Sequence, residues 1–130
     1  MGRLLDDIRS HLIAQSVANT TTWKCYIGYA PDAEDQLISL EVTGGLPQDT
    51  HGGETVTQTF QVRIRAGEKA YTTCEDKWWN MFSALENADI SISGSDIYLM
   101  HAFASGPIVY YDSKQRPNMT ANFRVVRATP

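Results

Sequence analysis

The stretch Thr55-Val56-Thr57-Gln58-Thr59-Phe60-Gln61-Val62-Arg63-Ile64-Arg65 alternates apolar and polar residues with the period of two that a half-buried β-strand requires. Val56, Phe60, Val62 and Ile64 fall on one side of such a strand, and Thr57, Thr59, Gln61, Arg63 and Arg65 on the other. Pro107 to Asp112 and Asn118 to Arg127 read as further strands of the same kind. Together they describe a sheet with one greasy face and one wet, cationic face.

On the N-terminal side, Leu5, Ile8, Leu12 and Ile13 recur at helical spacing, so Leu4 to Val17 reads as an amphipathic helix. Asp6 and Asp7 stand in its first turn, where the helix dipole favours acids. Strands follow at Trp23 to Tyr29, closed by the turn signal Ala30-Pro31-Asp32, and at Leu37 to Thr43, where Ile38, Leu40 and Val42 alternate inward. The segment from Gly44 to Glu54 holds two glycine pairs and a proline and is too long for a tight hairpin, which predicts a mobile loop.

Beyond the central ladder, Ala70, Cys74, Trp78, Met81 and Leu85 form one stripe of a helix over about Glu68 to Asn87. Neighbouring helix positions are about 100° apart, so Trp78 is expected in the core and Trp79 at its edge or in a subunit contact. Ser93 to Asp96 reads as a turn between short strands, and Tyr98 to Ala104 as a strand that Ser105-Gly106-Pro107 interrupts. The order α-β-β-β-α-β-β(-β), without internal repeat or composition shift, predicts a single α+β domain over residues 1–130. Two main helices would pack on one face of a largely antiparallel sheet.

The totals narrow the function classes. A chain of 130 residues with 42% hydrophobic and 20% charged residues has an ordinary globular composition. A formal charge of −4 argues against a dedicated nucleic-acid binder. No run approaches the roughly 20 apolar residues of a membrane-spanning helix, and the acids at Asp6 and Asp7 break any signal-peptide core. Synthesis in a cytoplasm is expected. Cys25 and Cys74 lack CxxC spacing and histidine neighbours, so both are expected as reduced, structural fillers with no metal site.

Catalytic chemistry finds no foothold. His11, His51 and His101 lack a carboxylate or serine at a recognisable spacing, and the acids are scattered. The glycine pairs join strand to strand with no following lysine, unlike a phosphate loop. No catalytic residue, cofactor or metal ligand is assigned. The remaining polar group of interest is Arg63 and Arg65 with Arg124 and Arg127. If their strands are neighbours, these guanidiniums crowd together and either face solvent or meet acids of another subunit, such as Glu41, Asp49 or Glu54.

The whole pattern resembles a known family. A helix, a strand with a Pro31-Asp32 turn, Leu40-Glu41-Val42-Thr43-Gly44-Gly45-Leu46-Pro47, Thr59-Phe60-Gln61-Val62-Arg63-Ile64-Arg65, a helix from Ala70-Tyr71, Gly106-Pro107-Ile108, Asp112-Ser113-Lys114-Gln115-Arg116-Pro117-Asn118 and Asn122-Phe123-Arg124-Val125 follow one another. This resembles the tail-terminator or tail-completion proteins of long-tailed bacteriophages, some of which are described as minor capsid proteins.

The resemblance implies a non-enzymatic subunit of the virion, at the head-proximal end of the tail, assembled in the host bacterial cytoplasm. It implies a homohexameric ring that caps the tail tube, ends its polymerisation and offers the surface that joins head-tail connector proteins. DNA would pass through the ring's channel without specific binding. Within that reading, contacts to a neighbouring subunit or the tail tube fall to Arg63, Arg65, Arg124 and Arg127 and to Gly44, Gly45, Asp49, His51, Gly52, Gly53 and Glu54. A head-side connector or adaptor that binds portal or capsid is the alternative.

Overall fold

The structure, a computed structural model, describes residues 4–45, 55–86, 91–92 and 95–128. Helix α1 spans Leu4–Ala14, followed by strands β1 (Cys25–Ile27), β2 (Leu37–Gly45) and β3 (Thr55–Arg65). Helix α2 spans Tyr71–Leu85, and β4 (Ser91–Ile92), β5 (Ser95–Ala102), β6 (Ile108–Tyr111) and β7 (Pro117–Ala128) complete the chain. The fold is α+β, with the strands in one sheet ordered β1-β2-β3-β7-β5-β4 and β6 also paired to β7. Every pairing is antiparallel except β1 with β2.

The central pair is long and regular. Along β3 and β7, Phe60 faces Phe123, Val62 faces Ala121 and Ile64 faces Met119, so the apolar alternation of both strands falls on one side. Phe60, Val62, Ile64, Met119, Phe123 and Val125 are fully buried there beneath Ile8 and Leu12 of α1 and Cys74, Trp78, Met81 and Leu85 of α2. Trp78 also satisfies its indole donor by bonding the Thr120 carbonyl at 3.3 Å, which fixes α2 over β7. Trp79, one residue on, remains 41% exposed and packs edge-on to Trp78, as the helical period requires.

Several boundaries differ from the sequence reading. Helix α1 ends at Ala14 because Ser16 adopts a left-handed φ of 61° and the amides of Val17 and Ala18 both turn back to the Leu12 carbonyl. Asn19 then accepts the amides of Thr21, Thr22 and Trp23 on its side-chain oxygen, closing the turn into β1. Gly44 and Gly45, expected in the loop, belong to β2. The pairing shifts between Val42 and Gly44, where Gly44 takes a φ of 105°, and a Cβ on Gly45 would lie 2.3 Å from the Thr57 carbonyl oxygen. Val42, the last residue in regular register before this bulge, is 48% exposed although it pairs with the inward Phe60.

The interruption expected at Ser105-Gly106-Pro107 separates two strands. β5 pairs with the Phe123–Arg127 half of β7, and β6 with the Pro117–Thr120 half, so the two lie end to end along one edge of β7. Residues 93 and 94, the first two of the expected Ser93–Asp96 turn, lie outside the described residues, and Ser95 and Asp96 belong to β5.

Candidate assembly surfaces

The face of the sheet away from the helices carries Ser39 and Glu41 from β2, Thr59, Gln61 and Arg63 from β3, and Thr120, Asn122 and Arg124 from β7, matched across the strands by register. Thr43 bonds Thr59 at 2.9 Å, and Gln61 reaches Asn122 at 3.5 Å. The expected crowding of arginines does not occur. Arg124 opposes Thr59, four pairs from the Arg63 and Thr120 pair, and Arg127 opposes Val56, on the helix side, where it is buried and bonds Gln58 at 2.7 Å. Arg63 is half-buried, and its Nε is enclosed without a hydrogen-bond partner.

Arg65 corrects the sequence reading most sharply. It lies on the polar side of β3 yet is 5% exposed, because the loop between β1 and β2 folds over that end of the sheet. Its guanidinium donates to the backbone carbonyls of Pro31, Glu34 and Asp35. Burial lowers its pKa, as does the adjacent Arg116. Leu37, also on this side, is fully buried apart from the main core.

Arg116 completes this cluster, and the sequence reading passed over it as a turn residue. Its side chain is 3% exposed and pairs with Asp32 at 2.7 Å, Asp112 at 2.8 Å and Asp35 at 3.3 Å. The Asp112 side chain accepts the amides of Lys114 and Arg116, and Gln115 takes a left-handed φ of 60°, so the turn is wound around one carboxylate. Burial pushes the Asp112 carboxyl up, but the amide and guanidinium of Arg116 outweigh it and hold the group below its ordinary value. Asp32 is held low by Lys114 and then by Arg116. The Pro31-Asp32 turn and the Asp112–Pro117 turn, read separately in the sequence, therefore meet around one guanidinium. The Asp112-to-Arg116 spacing of a wound turn was the signal available for it.

At one lateral edge, β6 presents Ile108, Val109, Tyr110 and Tyr111, all exposed, with no charged residue among them. Phe103, before the strand, is 60% exposed, and Tyr71 of α2 is exposed as well. Farther along α2, Trp79 and Phe82 pack ring to ring at 5.4 Å, and Phe82 and Phe103 line one shallow hollow with Glu86. At the opposite edge, β1 and α1 flank a groove of about 570 Å³ lined by Arg9, Ile13, Lys24, Tyr26 and Tyr29, among others. Arg9 pairs with Asp6 and Lys24 with Glu34, and Glu34 also accepts the Tyr26 hydroxyl. That bond raises the Tyr26 pKa to about 12.

The other candidates are quickly placed. His101, expected without a carboxylate partner, bonds Glu86 at 3.0 Å, a contact made possible because α2 ends beside β5. The second Glu86 oxygen accepts the Ala102 amide at 2.7 Å, so the pair ties helix to strand. His11 contacts the Ala84 carbonyl at 3.0 Å. Both cysteines are free thiols, and burial pushes each up to about 12, disfavouring the reactive thiolate. Among the described residues, no group of three or more His, Cys, Asp or Glu is placed to hold a metal ion. No helix among them is long and apolar enough to cross a membrane. Asp49, His51, Gly52, Gly53 and Glu54 lie outside the described residues.

A polar sheet face, two chemically different edges and a buried arginine clamp are thus the surfaces and fastening that the fold presents. A family model described as bacteriophage tail terminator protein matches residues 7–128, and the chain belongs to that family. Among solved structures, a chain titled as part of the virion of a native gene transfer agent particle shares the fold. Its TM-score is 0.72 at 16% sequence identity, covering 97% of this chain and 95% of that one. No curated protein matches the sequence.

Proposed function

We propose that this tail terminator acts by assembly: copies close into a ring, hexameric by resemblance to the family, that caps the tail tube, ends its polymerisation and forms the surface to which the head joins. The observation that carries this reading is the pair of unlike sheet edges. A ring needs one heterologous contact repeated around an axis, and such a contact joins two different patches of the same chain. The β6 edge and the β1 groove are two such patches, at opposite ends of the sheet. Once the ring sits on the tube, its far face presents no tube-like surface and addition stops. A net charge of −4 suits a channel that passes DNA without gripping phosphate.

The interface residues in this reading include Arg63 and Arg124, which lie on the polar face outside the clamp that buries Arg65. Gly44 and Gly45 act by shaping the β2 bulge that leads into the 46–54 segment, and Arg65 and Arg127 act by holding strands in place. Labelled protein mixed separately with isolated tail tubes and with tailless heads tests the assignment. Attachment to one end of the tubes supports it. Attachment to heads alone moves the protein to the head-side connector role.

A further inference from the structure

We infer that the ring contact, if the ring reading above holds, is made strand to strand: β6 of one copy pairs antiparallel with β1 of the next, continuing the sheet from subunit to subunit. The occupant of the β6 edge is thus a second copy of this chain. Among the described residues, β6 pairs only with β7 and β1 only with β2, so each leaves one line of backbone donors and acceptors unpaired at opposite ends of the sheet. Monomeric proteins blunt such edges with charge, but β6 presents four exposed apolar residues, Ile108 being 60% and Tyr111 49% exposed.

Strand direction agrees with the pairing. β1 runs with β2, β2 against β3, β3 against β7, and β7 against β6, so β6 runs opposite to β1. Rotation about a ring axis preserves each strand's sense along that axis, so β6 meets the neighbour's β1 antiparallel. Ile13, 43% exposed, and Tyr29, 62% exposed, supply apolar surface in the groove against which the tyrosines of β6 can pack.

The sides of the strands make the test specific. Tyr26 is in register with Ser39 on the polar side of the sheet. Ile108 and Tyr110 share that side through Thr120 and Asn118, while Val109 and Tyr111 point to the helix side. In a Cys25→Ser background, which removes the native thiol of β1, mild oxidation of Tyr26→Cys combined with Ile108→Cys or Tyr110→Cys should give a ladder of covalent oligomers. The ladder should be absent in each single variant and about tenfold weaker with Val109→Cys or Tyr111→Cys. In the unmodified protein, amide exchange across residues 25–27 and 108–111 should slow about tenfold or more on assembly.

Ring-sized protein that gives neither cross-links nor slowed exchange overturns the contact and leaves the ring standing. Cross-linking that is equal for the Val109 pair also overturns it. A strict monomer with no cross-links, alone or with tail tubes, overturns both. A ladder in protein that never attaches to tubes sustains the contact and sinks the tail-capping role.

Discussion

Arg116 donates to Asp32 at 2.7 Å across 84 residues of chain, locking the turn after β6 onto the loop after β1. Removing the guanidinium leaves Asp35 and Asp112 without their paired charge and Asp32 with Lys114 alone. Asp32 and Asp35 are largely exposed, so water screens part of the loss. Arg116→Met should lower unfolding free energy by about 3 kcal/mol, the low end for breaking a buried pair. Denaturant titration measures it, and Arg116→Lys should recover little because one ammonium cannot reproduce the fork.

The same acids set an acid limit to stability. Asp32, Asp112 and Glu34 have folded pKa values below their ordinary ones, so each stabilises the fold at pH values above the unfolded carboxylate range near 4. That stabilisation is lost as pH falls through the lowered values. Thermal melts should show a midpoint that falls below about pH 4, and Arg116→Met should flatten the slope there.

Arg63 and Arg65 should part company. Arg65 is buried against three backbone carbonyls, and Arg65→Gln should cost about 2 to 3 kcal/mol, as lost charge-assisted bonds do. Arg63 has an enclosed Nε with no partner to lose, so Arg63→Gln should stay within about 0.5 kcal/mol. Parallel denaturant curves for the two variants decide it. Similar losses would contradict the different roles.

In the core, Phe60 and Phe123 stack across β3 and β7 with centroids 5.4 Å apart. Phe60→Ala should destabilise by about 3 to 5 kcal/mol through lost burial and the cavity left between strands and helices. A double-mutant cycle with Phe123→Ala should give a coupling of about 0.5 to 1.5 kcal/mol.

Much of this fold was legible because its strongest signals are local and periodic. The Phe60-Val62-Ile64 alternation and the Cys74-Trp78-Met81-Leu85 stripe each face the side their spacing predicts. The arginines were harder because alternation reports a side of the sheet but not what covers it. Arg65 is on the polar side and buried, since a loop some thirty residues earlier folds across it. Arg127 changes side because β7 runs on past Arg124 by an odd number of residues, a fact that register with Val56 makes plain. Gly44 and Gly45 looked like loop residues because glycine marks loops and bulges alike. The exposed β6 edge was not legible at all, because Ile108 to Tyr111 reads equally well as an inner strand.

The central claim is that this chain ends the growth of a tail tube, and the length of tubes measures it most directly. Purified tail-tube protein should be polymerised with and without the chain and the tubes measured by electron microscopy. The account predicts that the chain binds one end of each tube and arrests further elongation when fresh subunits are added. Tubes that bind the chain nowhere and continue to lengthen at the same rate would contradict it.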